Sequence, residues 1–268
     1  MPTTRQRTIS RPVALTIAGS DSGGGAGIQA DLKTFAALGV HGATAITCLT
    51  AQNPDTVTAV TETPAAMVEE QIRAVCAGFP VRAVKTGMLY SATIIMIVAQ
   101  ALKKQAIPFY VLDPVMIATS GARLLKDDAV ETLERRLIPL ATVITPNIPE
   151  AEALLGSSLS CHRDIVQGAR ELARRYHVAV VIKGGHLEGD TVSDTLYAGD
   201  MLTTFKLPRL RVQETHGTGC TFSAALTAGL ACGASLRLAV KRAQTFVHQA
   251  LAHAYRAGAH APLGIGLR

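Results

Sequence analysis

The sequence has no tryptophan, and aromatic residues make up only 4% of its 268 positions. Proteins that bind single-stranded nucleic acid combine aromatic stacking platforms with a basic groove. The net charge is +6, but the basic residues are scattered, and Arg5, Arg7 and Arg11 form the only dense patch. We therefore expect no nucleic-acid partner and a mildly basic surface that helps to recruit anionic substrates.

Cysteine is also scarce, with five residues, an odd number, and no Cys-x-x-Cys pair. This pattern argues against a disulfide framework and a structural zinc site, and it favours a reducing cytoplasm. Long apolar runs are missing, and Met1–Arg11 has no apolar core, so we expect neither a membrane span nor a signal peptide. We expect a single domain over residues 1–268, with 1–11 as a flexible N-terminus.

Short apolar runs alternate with segments of helical spacing along most of the chain. This alternation predicts an α/β fold in which a mostly parallel sheet is covered by helices on both faces. The expected strands are Val13–Ala18, Ala43–Leu49, Val57–Glu62, Ala83–Lys85, Phe109–Leu112, Thr142–Thr145, Val178–Ile182, Val192–Ala198 and Leu202–Leu207. The expected helices are Ile28–Leu38, Pro64–Cys76, Ser91–Lys104, Asp127–Leu137, a short one from Glu150, Asp164–Tyr176, Phe222–Ala231 and Leu236–Arg256.

Polar or turn-forming residues follow six of these strands. Ligands of open α/β sheets bind in the crevice outside the carboxyl ends of the strands. Six such ends are harder to explain as coincidence than any single motif, so we expect a ligand site there. The residues concerned are Gly19, Gln52, Met88, Asp113, Asn147 and Lys183.

The first strand runs into a glycine-rich turn, Gly19–Gly27, and then into a helix. The turn does not follow G-x-G-x-x-G in a clean dinucleotide-binding setting, and G-x-x-x-x-G-K-[ST] occurs nowhere, so these two nucleotide-binding motifs are not supported. Asp31 lies near the start of the following helix. Its carboxylate either hydrogen-bonds a polar ligand above the turn or is a solvated acid favoured by the helix dipole.

The segment Thr215–Thr221 places two glycines where a loop becomes a helix. Free amides at a helix N-terminus suit an anion, and glycine lets the backbone approach it closely. The segment is therefore either an anion hole, formed by Gly217, Gly219 and Cys220, or a glycine-rich helix cap with a buried cysteine. The same helix-end field and nearby cations favour a thiolate at Cys220.

Hard oxygen groups occur at two strand ends, on Asp113, Asn147 and Glu150. Magnesium held by carboxylates, waters and phosphate oxygens suits them better than zinc. Alternatively, Asp113 begins a turn and Glu150 belongs to a helix cap. Lys183 before two glycines either faces a phosphate or is an ordinary surface lysine. A metal ion, the Lys183 ammonium and the anion hole would together neutralise charge on a transferring phosphoryl group. This set of groups therefore indicates phosphoryl transfer.

Cys220 is the candidate to accept the proton of the acceptor group during that transfer. A covalent cysteine mechanism is the competing chemistry. It would need a histidine base, for which His216 and His186 are available, and an orienting residue, which the sequence does not identify.

Seven segments, in order along nearly the whole chain, resemble the hydroxymethylpyrimidine/phosphomethylpyrimidine kinases of thiamine biosynthesis. The seven segments are 18–34, 50–53, 85–89, 113–116, 145–151, 183–186 and 215–221. The cysteine in the last segment is similar to this family and to relatives that act on pyridoxal, whereas many other ribokinase-like enzymes have aspartate there.

The resemblance implies a ribokinase-like three-layer α/β/α fold with a small β flap, a homodimer, and use of ATP and Mg²⁺. It implies phosphorylation of 4-amino-5-hydroxymethyl-2-methylpyrimidine and then of its monophosphate. The implied substrate pocket comprises Gly19, Asp31, Gln52, Met88 and Val115. Asp113 and Glu150 would act near magnesium. Asn147, Lys183, Thr215, Gly217 and Gly219 would contact ATP or phosphate, and Cys220 would be the base.

Three other functions stay open at this point. A pyridoxal/pyridoxine kinase could use the same scaffold and differ only in the ring edge that it binds. A non-catalytic sensor could bind the ligand without turnover. Such a protein would not need Asp113, Asn147, Glu150, Lys183 and Cys220 together, so their presence argues against a sensor. A nucleic-acid binder would need strongly salt-dependent affinity.

Overall fold

The computed structural model describes residues 10–116, 125, 127–212 and 214–266. Its strands, β1 to β9 in chain order, are Val13–Asp21, His41–Gln52, Val57–Glu62, Val81–Thr86, Phe109–Leu112, Val143–Ile144, Ala179–Ile182, Thr191–Ala198 and Met201–Pro208. The α-helices, α1 to α8, are Gly27–Ala37, Ala65–Gly78, Ala92–Lys103, Asp127–Thr132, Ile148–Leu155, His162–Tyr176, Thr218–Ala231 and Leu236–Ala252. None of the helices in these ranges is both long and apolar enough to cross a bilayer.

All nine strands belong to one sheet, in the order β3-β2-β1-β4-β5-β6-β7-β8-β9. The six central strands are parallel, whereas β3 at one edge and the β8–β9 hairpin at the other are antiparallel. The chain moves outward from β1 to β2 and then returns to place β4 on the other side of β1. This reversal opens a crevice at the carboxyl ends of β1 and β4, where α/β sheets bind ligands.

Helices cover both faces of the sheet because successive strand residues point to opposite sides. On β5, Leu112 packs in the core with α2 to α6, whereas Val111 packs in the core with α7 and α8. Ile144 and Val143 on β6 divide in the same way. The expected three-layer α/β/α fold with a mostly parallel central sheet is therefore confirmed.

Several element boundaries differ from those expected, and three of the differences affect the site. β1 and β2 extend through Gly19 and Gln52, so both residues lie in strands. Helix α7 begins at Thr218 rather than Phe222, so the glycine motif forms its first turn. The expected small β flap is continuous with the main sheet, because β3 pairs with the last part of β2 at its edge. Most of the expected flexible N-terminus, residues 1–9, lies outside the described residues.

Candidate active site

A cavity of about 580 Å³ lies at the carboxyl ends of the parallel strands, next to the point where the strand order reverses. Residues that are far apart in the sequence line this cavity, because the parallel strands all end at this edge of the sheet. Of the expected site residues, all but Asp31 line the cavity: Gly19, Gln52, Met88, Asp113, Val115, Asn147, Glu150, Lys183, Thr215, Gly217, Gly219 and Cys220.

One end of the cavity is apolar and narrow. Met88 packs against the buried Cys48, and Val115 packs against both. A Cβ atom on Gly19 would lie 2.8 Å from the Cys48 sulphur and 3.3 Å from the Met88 sulphur. A side chain at position 19 would therefore force Cys48 or Met88 to move. With glycine there, the backbone lines the cavity beside Met88 and Val115, and we call this apolar end the ring slot.

Gln52 brings a polar side chain to the same end of the cavity. Its carbonyl oxygen Oε1 accepts a hydrogen bond of 3.2 Å from Thr50, and its backbone is joined to the hydroxyl of Ser22 at 2.7 and 2.8 Å. An amide side chain offers both a donor and an acceptor. The half-buried Gln52 can therefore form hydrogen bonds with the polar edge of a ring bound in the slot.

The expectation that Asp31 contacts the substrate is corrected by the structure, and so is the alternative of a solvated acid. Asp31 is fully buried under the cavity floor, where one oxygen pairs with Lys85 and the other accepts 2.6 Å from Thr16. Lys85, also fully buried, lines the cavity instead. The pKa of Lys85 is raised: burial alone would lower it, but the charges of Asp31, Cys220 and Asp113 outweigh burial.

The first turn of α7 presents unpaired amides to the cavity. Gly217 is the N-cap residue and has a φ of 82°, a left-handed conformation that favours glycine. The first intrahelical hydrogen bond runs from the amide of Thr221 to the Gly217 carbonyl, at 2.9 Å. The amides of Gly219 and Cys220 precede that bond. They form an anion-binding helix N-terminus on the cavity wall.

Cys220 does not have the lowered pKa expected from its place at a helix N-terminus. Burial raises the pKa of its thiol to about 11, although the Lys85 ammonium and the amide of Gly27 act in the opposite direction. Desolvation of a thiolate is therefore the larger effect here. This shift favours the thiol over the thiolate at neutral pH.

Asp113 is the centre of a polar cluster opposite that helix. Its carboxylate accepts 2.9 Å from Lys183, 3.2 Å from the Thr145 hydroxyl and 3.0 Å from the Ser223 hydroxyl. The Lys183 ammonium lies 3.4 Å from the position that a Cβ of Gly219 would occupy. Lys183 is thus held between the carboxylate and the anion hole, where a phosphate would meet both.

Asn147 and Glu150 form the N-cap of α5. The Asn147 side chain accepts 2.9 Å from the Glu150 amide, and the Glu150 carboxylate accepts 2.8 Å from the Asn147 amide. Burial and the nearby Asp113 raise the pKa of Glu150 to about 7, against the opposing effect of Lys183. The cap suggested for Glu150 is therefore present, and the side chain still lines the cavity.

The residues at this point fit magnesium better than zinc. Within the described part of the chain, no three histidine, cysteine or acidic side chains converge as a metal site. Asp113 and Glu150 supply two carboxylates on the cavity wall. Mg²⁺ is commonly held by one or two carboxylates together with waters and substrate phosphates.

The two histidines considered as bases for Cys220 have other surroundings. His216 lies 3.2 Å from the Asp21 carboxylate. His186 lies on the cavity wall, where partial desolvation and the charges of Lys183 and Arg209 lower its pKa. Among the described residues, neither histidine is hydrogen-bonded to Cys220, so the covalent cysteine mechanism has no histidine base in contact with the thiol.

Sequence reasoning missed five supporting residues: Thr16, Lys85, Thr145, Ser223 and Asp21. One signal was present, because Ser223 lies four residues after Gly219 and so on the same face of a helix. Lys85 pairs with a residue 54 positions away, and Thr145 with one 32 positions away. Such partners become visible only when the strand order is known.

A cavity that offers amide donors and a lysine to a transferring phosphoryl group, at the switch point of an α/β sheet, defines a small-molecule kinase of the ribokinase-like class. The description of the matching family is phosphomethylpyrimidine kinase, and its model matches residues 21–263. The chain belongs to this family.

Two curated relatives show how the chain compares in length. It is 48% identical to a hydroxymethylpyrimidine/phosphomethylpyrimidine kinase of Haemophilus influenzae, over 94% of this chain and 92% of that one. It is 46% identical to a thiamine biosynthesis bifunctional protein of Geobacter sulfurreducens, over 97% of this chain. In the second case it spans about half, 53%, of the relative's length.

Two solved structures have the same architecture. A phosphomethylpyrimidine kinase of Clostridium difficile matches with a TM-score of 0.80 and 42% identity, over 90% of this chain and 99% of that one. A Bacillus subtilis pyridoxal kinase, solved as an ADP complex, matches with a TM-score of 0.88 and 37% identity, over 96% and 98%. The fold is therefore shared by kinases named for two different ring substrates.

Proposed function

We propose that the protein phosphorylates 4-amino-5-hydroxymethyl-2-methylpyrimidine with ATP, and then phosphorylates the monophosphate to the diphosphate, as a step of thiamine biosynthesis. The observation that carries the proposal is the arrangement of the cavity. A slot for a flat ring, with Gln52 at its polar edge, opens directly onto the anion hole of α7. The names of the relatives support the same substrates.

The ring would lie between Gly19, Met88 and Val115, with its amino group and ring nitrogen at Gln52. Lys85, rather than Asp31, would be the charged group below it. The γ-phosphate of ATP would lie between Lys183 and the amides of Gly219 and Cys220, with Gly217, Thr215 and Asn147 near the phosphate chain. Asp113 and Glu150 would hold Mg²⁺, which neutralises phosphate charge when it is bound.

The acceptor oxygen would form a bond to the γ-phosphorus while the bond to the β–γ bridging oxygen breaks and ADP leaves. The hydroxyl proton would pass to the Cys220 side chain in its deprotonated, thiolate form. Since most of the catalysis in phosphoryl transfer comes from positioning and charge stabilisation, a base of unfavourable pKa is compatible with this reaction. Only the thiolate form of Cys220 can accept this proton, and it becomes the thiol when the proton is transferred.

The test is competing turnover with ATP of the pyrimidine, its monophosphate and pyridoxal. We expect two successive phosphates to be added to the pyrimidine, at a higher kcat/KM than for pyridoxal. Pyridoxal kinase is the second candidate, because a pyridoxal kinase gives the higher TM-score of the two structures compared. Faster phosphorylation of pyridoxal would favour that candidate and overturn our first proposal.

The proposal extends to the state of the protein in the cell: a single-domain, cytoplasmic homodimer that binds no nucleic acid. Five free thiols, all in described residues, support a reducing compartment. Leu49 on β2 and Met67 on α2 are each 54% exposed, as expected of residues that a second subunit covers. Sedimentation equilibrium tests the dimer, and a monomer at micromolar concentration would contradict it.

A further inference from the structure

The glycine-rich turn after β1 is organised around one carboxylate. Three backbone amides, those of Gly23, Gly25 and Ala26, donate to Asp21 at 2.8, 3.0 and 2.8 Å. The Asp21 side chain is 3% exposed. Burial would raise the pKa of Asp21, but hydrogen bonds from His216, Ala26 and Gly23 outweigh burial and lower it. We call residues 21–27 the acceptor loop, because they border the ring slot.

The fourth partner of Asp21 comes from the anion-hole loop, residues 215–220. His216 Nε2 lies 3.2 Å from the Asp21 oxygen Oδ2. An ionised carboxylate only accepts hydrogen bonds, so Nε2 of His216 carries the proton in this contact. The histidine side chain is 11% exposed. A charge-assisted hydrogen bond therefore joins two loops that are 195 residues apart in sequence.

The two loops are also in close backbone contact beside this pair. A Cβ on Gly25 would lie 2.6 Å from the His216 ring, and a Cβ on Gly217 would lie 1.9 Å from the Gly25 carbonyl oxygen. One residue into α1, the amide of Gly27 stabilises the Cys220 sulphur. Three residues of the anion-hole loop, His216, Gly217 and Cys220, thus each contact a residue of the acceptor loop.

We propose that His216, held by Asp21, is a positioning residue that fixes the anion hole relative to the loop bordering the acceptor. This inference rests on the proposed function, since it assigns the pair to the transfer between ring and phosphate. His216 immediately precedes Gly217, so its hydrogen bond to Asp21 ties the backbone that leads into the amides of Gly219 and Cys220 to the acceptor loop. A displacement of about 1 Å at a reacting centre costs up to about 100-fold in rate.

Steady-state kinetics of His216→Ala and His216→Gln test the role. We expect His216→Ala to lower kcat about 100-fold, with both KM values changed less than threefold. The glutamine variant should recover most of kcat, because its Nε2 reaches the same carboxylate oxygen. Asp21→Ala combined with His216→Ala should be no slower than the slower single variant. His253→Ala, at an exposed histidine outside the cavity, is the matched control and should retain the wild-type kcat.

Unchanged kcat in His216→Ala would overturn the proposal, and so would a KM effect without a kcat effect, or no recovery with glutamine in a natively folded variant. Amide hydrogen exchange provides a readout that needs no substrate. In His216→Ala, peptides covering 21–30 and 214–222 should both exchange faster than in His253→Ala. Faster exchange in only one of them would contradict the coupling. If the wild type turns over pyridoxal instead of the pyrimidine, only the proposed function fails.

Discussion

Cys220 combines two opposing influences, a helix N-terminus that favours its thiolate and a partly buried position whose desolvation disfavours it. With a pKa of about 11, about one molecule in 10⁴ carries the thiolate at pH 7. A neighbouring lysine and an amide do not compensate for lost hydration. If Cys220 is the base, as proposed, its raised pKa makes base catalysis weak at neutral pH.

Cys220 variants separate base catalysis from electrostatic stabilisation. We expect Cys220→Ala to lower kcat about 10²- to 10⁴-fold while it still binds the pyrimidine, because only the proton acceptor is removed. In the wild type, kcat/KM should rise with pH above 7, since the raised pKa of Cys220 leaves a thiol to be ionised. Cys220→Asp should lose this rise. The measurements are pH–rate profiles and calorimetric binding, and full activity of Cys220→Ala would contradict the base assignment.

Asp31 and Lys85 form a fully buried ion pair. Burial raises the pKa of Asp31 although Lys85 opposes that shift, whereas Asp31 raises the pKa of Lys85 and so favours its ammonium. Replacing only Asp31 with asparagine leaves the ammonium of Lys85 without its partner in the floor of the cavity. We expect Asp31→Asn to lower the free energy of unfolding by about 3–5 kcal/mol, measured by urea denaturation. Glu70→Gln, which breaks the exposed pair with Arg73, is the control and should leave stability unchanged. A similar midpoint for both variants would show that Lys85 is neutral or hydrated.

At the scale of the element, α7 has a left-handed glycine at each end, and the two differ in their surroundings. Gly217 has φ 82° and faces the Gly25 carbonyl, whereas Gly233 has φ 84° and open space around its Cα. The left-handed conformation costs an alanine about 1–2 kcal/mol at either position. Only at Gly217 does a methyl group also collide with backbone at 1.9 Å.

We therefore expect Gly217→Ala and Gly233→Ala to behave differently. Both should lose stability through the left-handed conformation, but only Gly217→Ala should displace the anion hole, with a fall in kcat of about 100-fold or more. Gly233→Ala should retain kcat at temperatures where it is folded. Thermal unfolding and steady-state kinetics on the two variants check this. Equal kcat values would mean that the first turn of α7 does not hold the phosphate.

The same helix shows how far the sequence predicts the fold. Apolar periodicity predicted all nine strands and the helices correctly in kind, because burial on a sheet or a helix face leaves a pattern in the local sequence. The start of α7 was placed four residues late, because glycine and threonine do not favour helix and the ligand-facing turn is chosen for its amides. For the same reason, the polar end of β2 at Gln52 was taken for a loop.

The candidate site was predicted from the sequence about as well as the fold was. Strand ends located the cavity, and all expected side chains but Asp31 line it. Asp31 was misplaced because its partners, Thr16 and Lys85, depend on β1 and β4 being neighbours, and local sequence does not contain that information. The raised pKa of Cys220 was missed for a related reason, since desolvation depends on everything that packs around the thiol.

At the scale of the whole molecule, Asp194 on β8 lies beside the candidate site and also affects the stability of the fold. Its carboxylate accepts 2.9 Å from the amide of Gly184, next to Lys183, and it is 4% exposed. Burial raises its pKa from 3.8 to about 6, although the Gly184 amide, Gln244 and Lys183 oppose the shift. The folded protein therefore holds a proton more tightly at this site than the unfolded chain does.

This difference predicts a dependence of stability on pH with a definite sign. A carboxyl group with a raised pKa contributes stability at pH values below the unfolded pKa, and the contribution is lost as pH rises from about 3.8 to about 6. The loss is up to about 3 kcal/mol. Asp194→Asn keeps an oxygen for the Gly184 amide and does not ionise. We therefore expect it to be more stable than the wild type at pH 7 by up to about 3 kcal/mol, and equal to it near pH 4.

Urea denaturation of both proteins from pH 4 to pH 8 measures this difference, with Glu188→Gln at an exposed position as the control. Glu150, whose raised pKa acts with the same sign, is unchanged in all three proteins, so it contributes equally and cancels in the comparison. If Asp194→Asn were less stable at pH 7, the negative charge of Asp194 would be stabilising the fold through Lys183. The lysine would then be anchored by two carboxylates, Asp113 and Asp194, and Asp194→Asn would also raise KM for ATP.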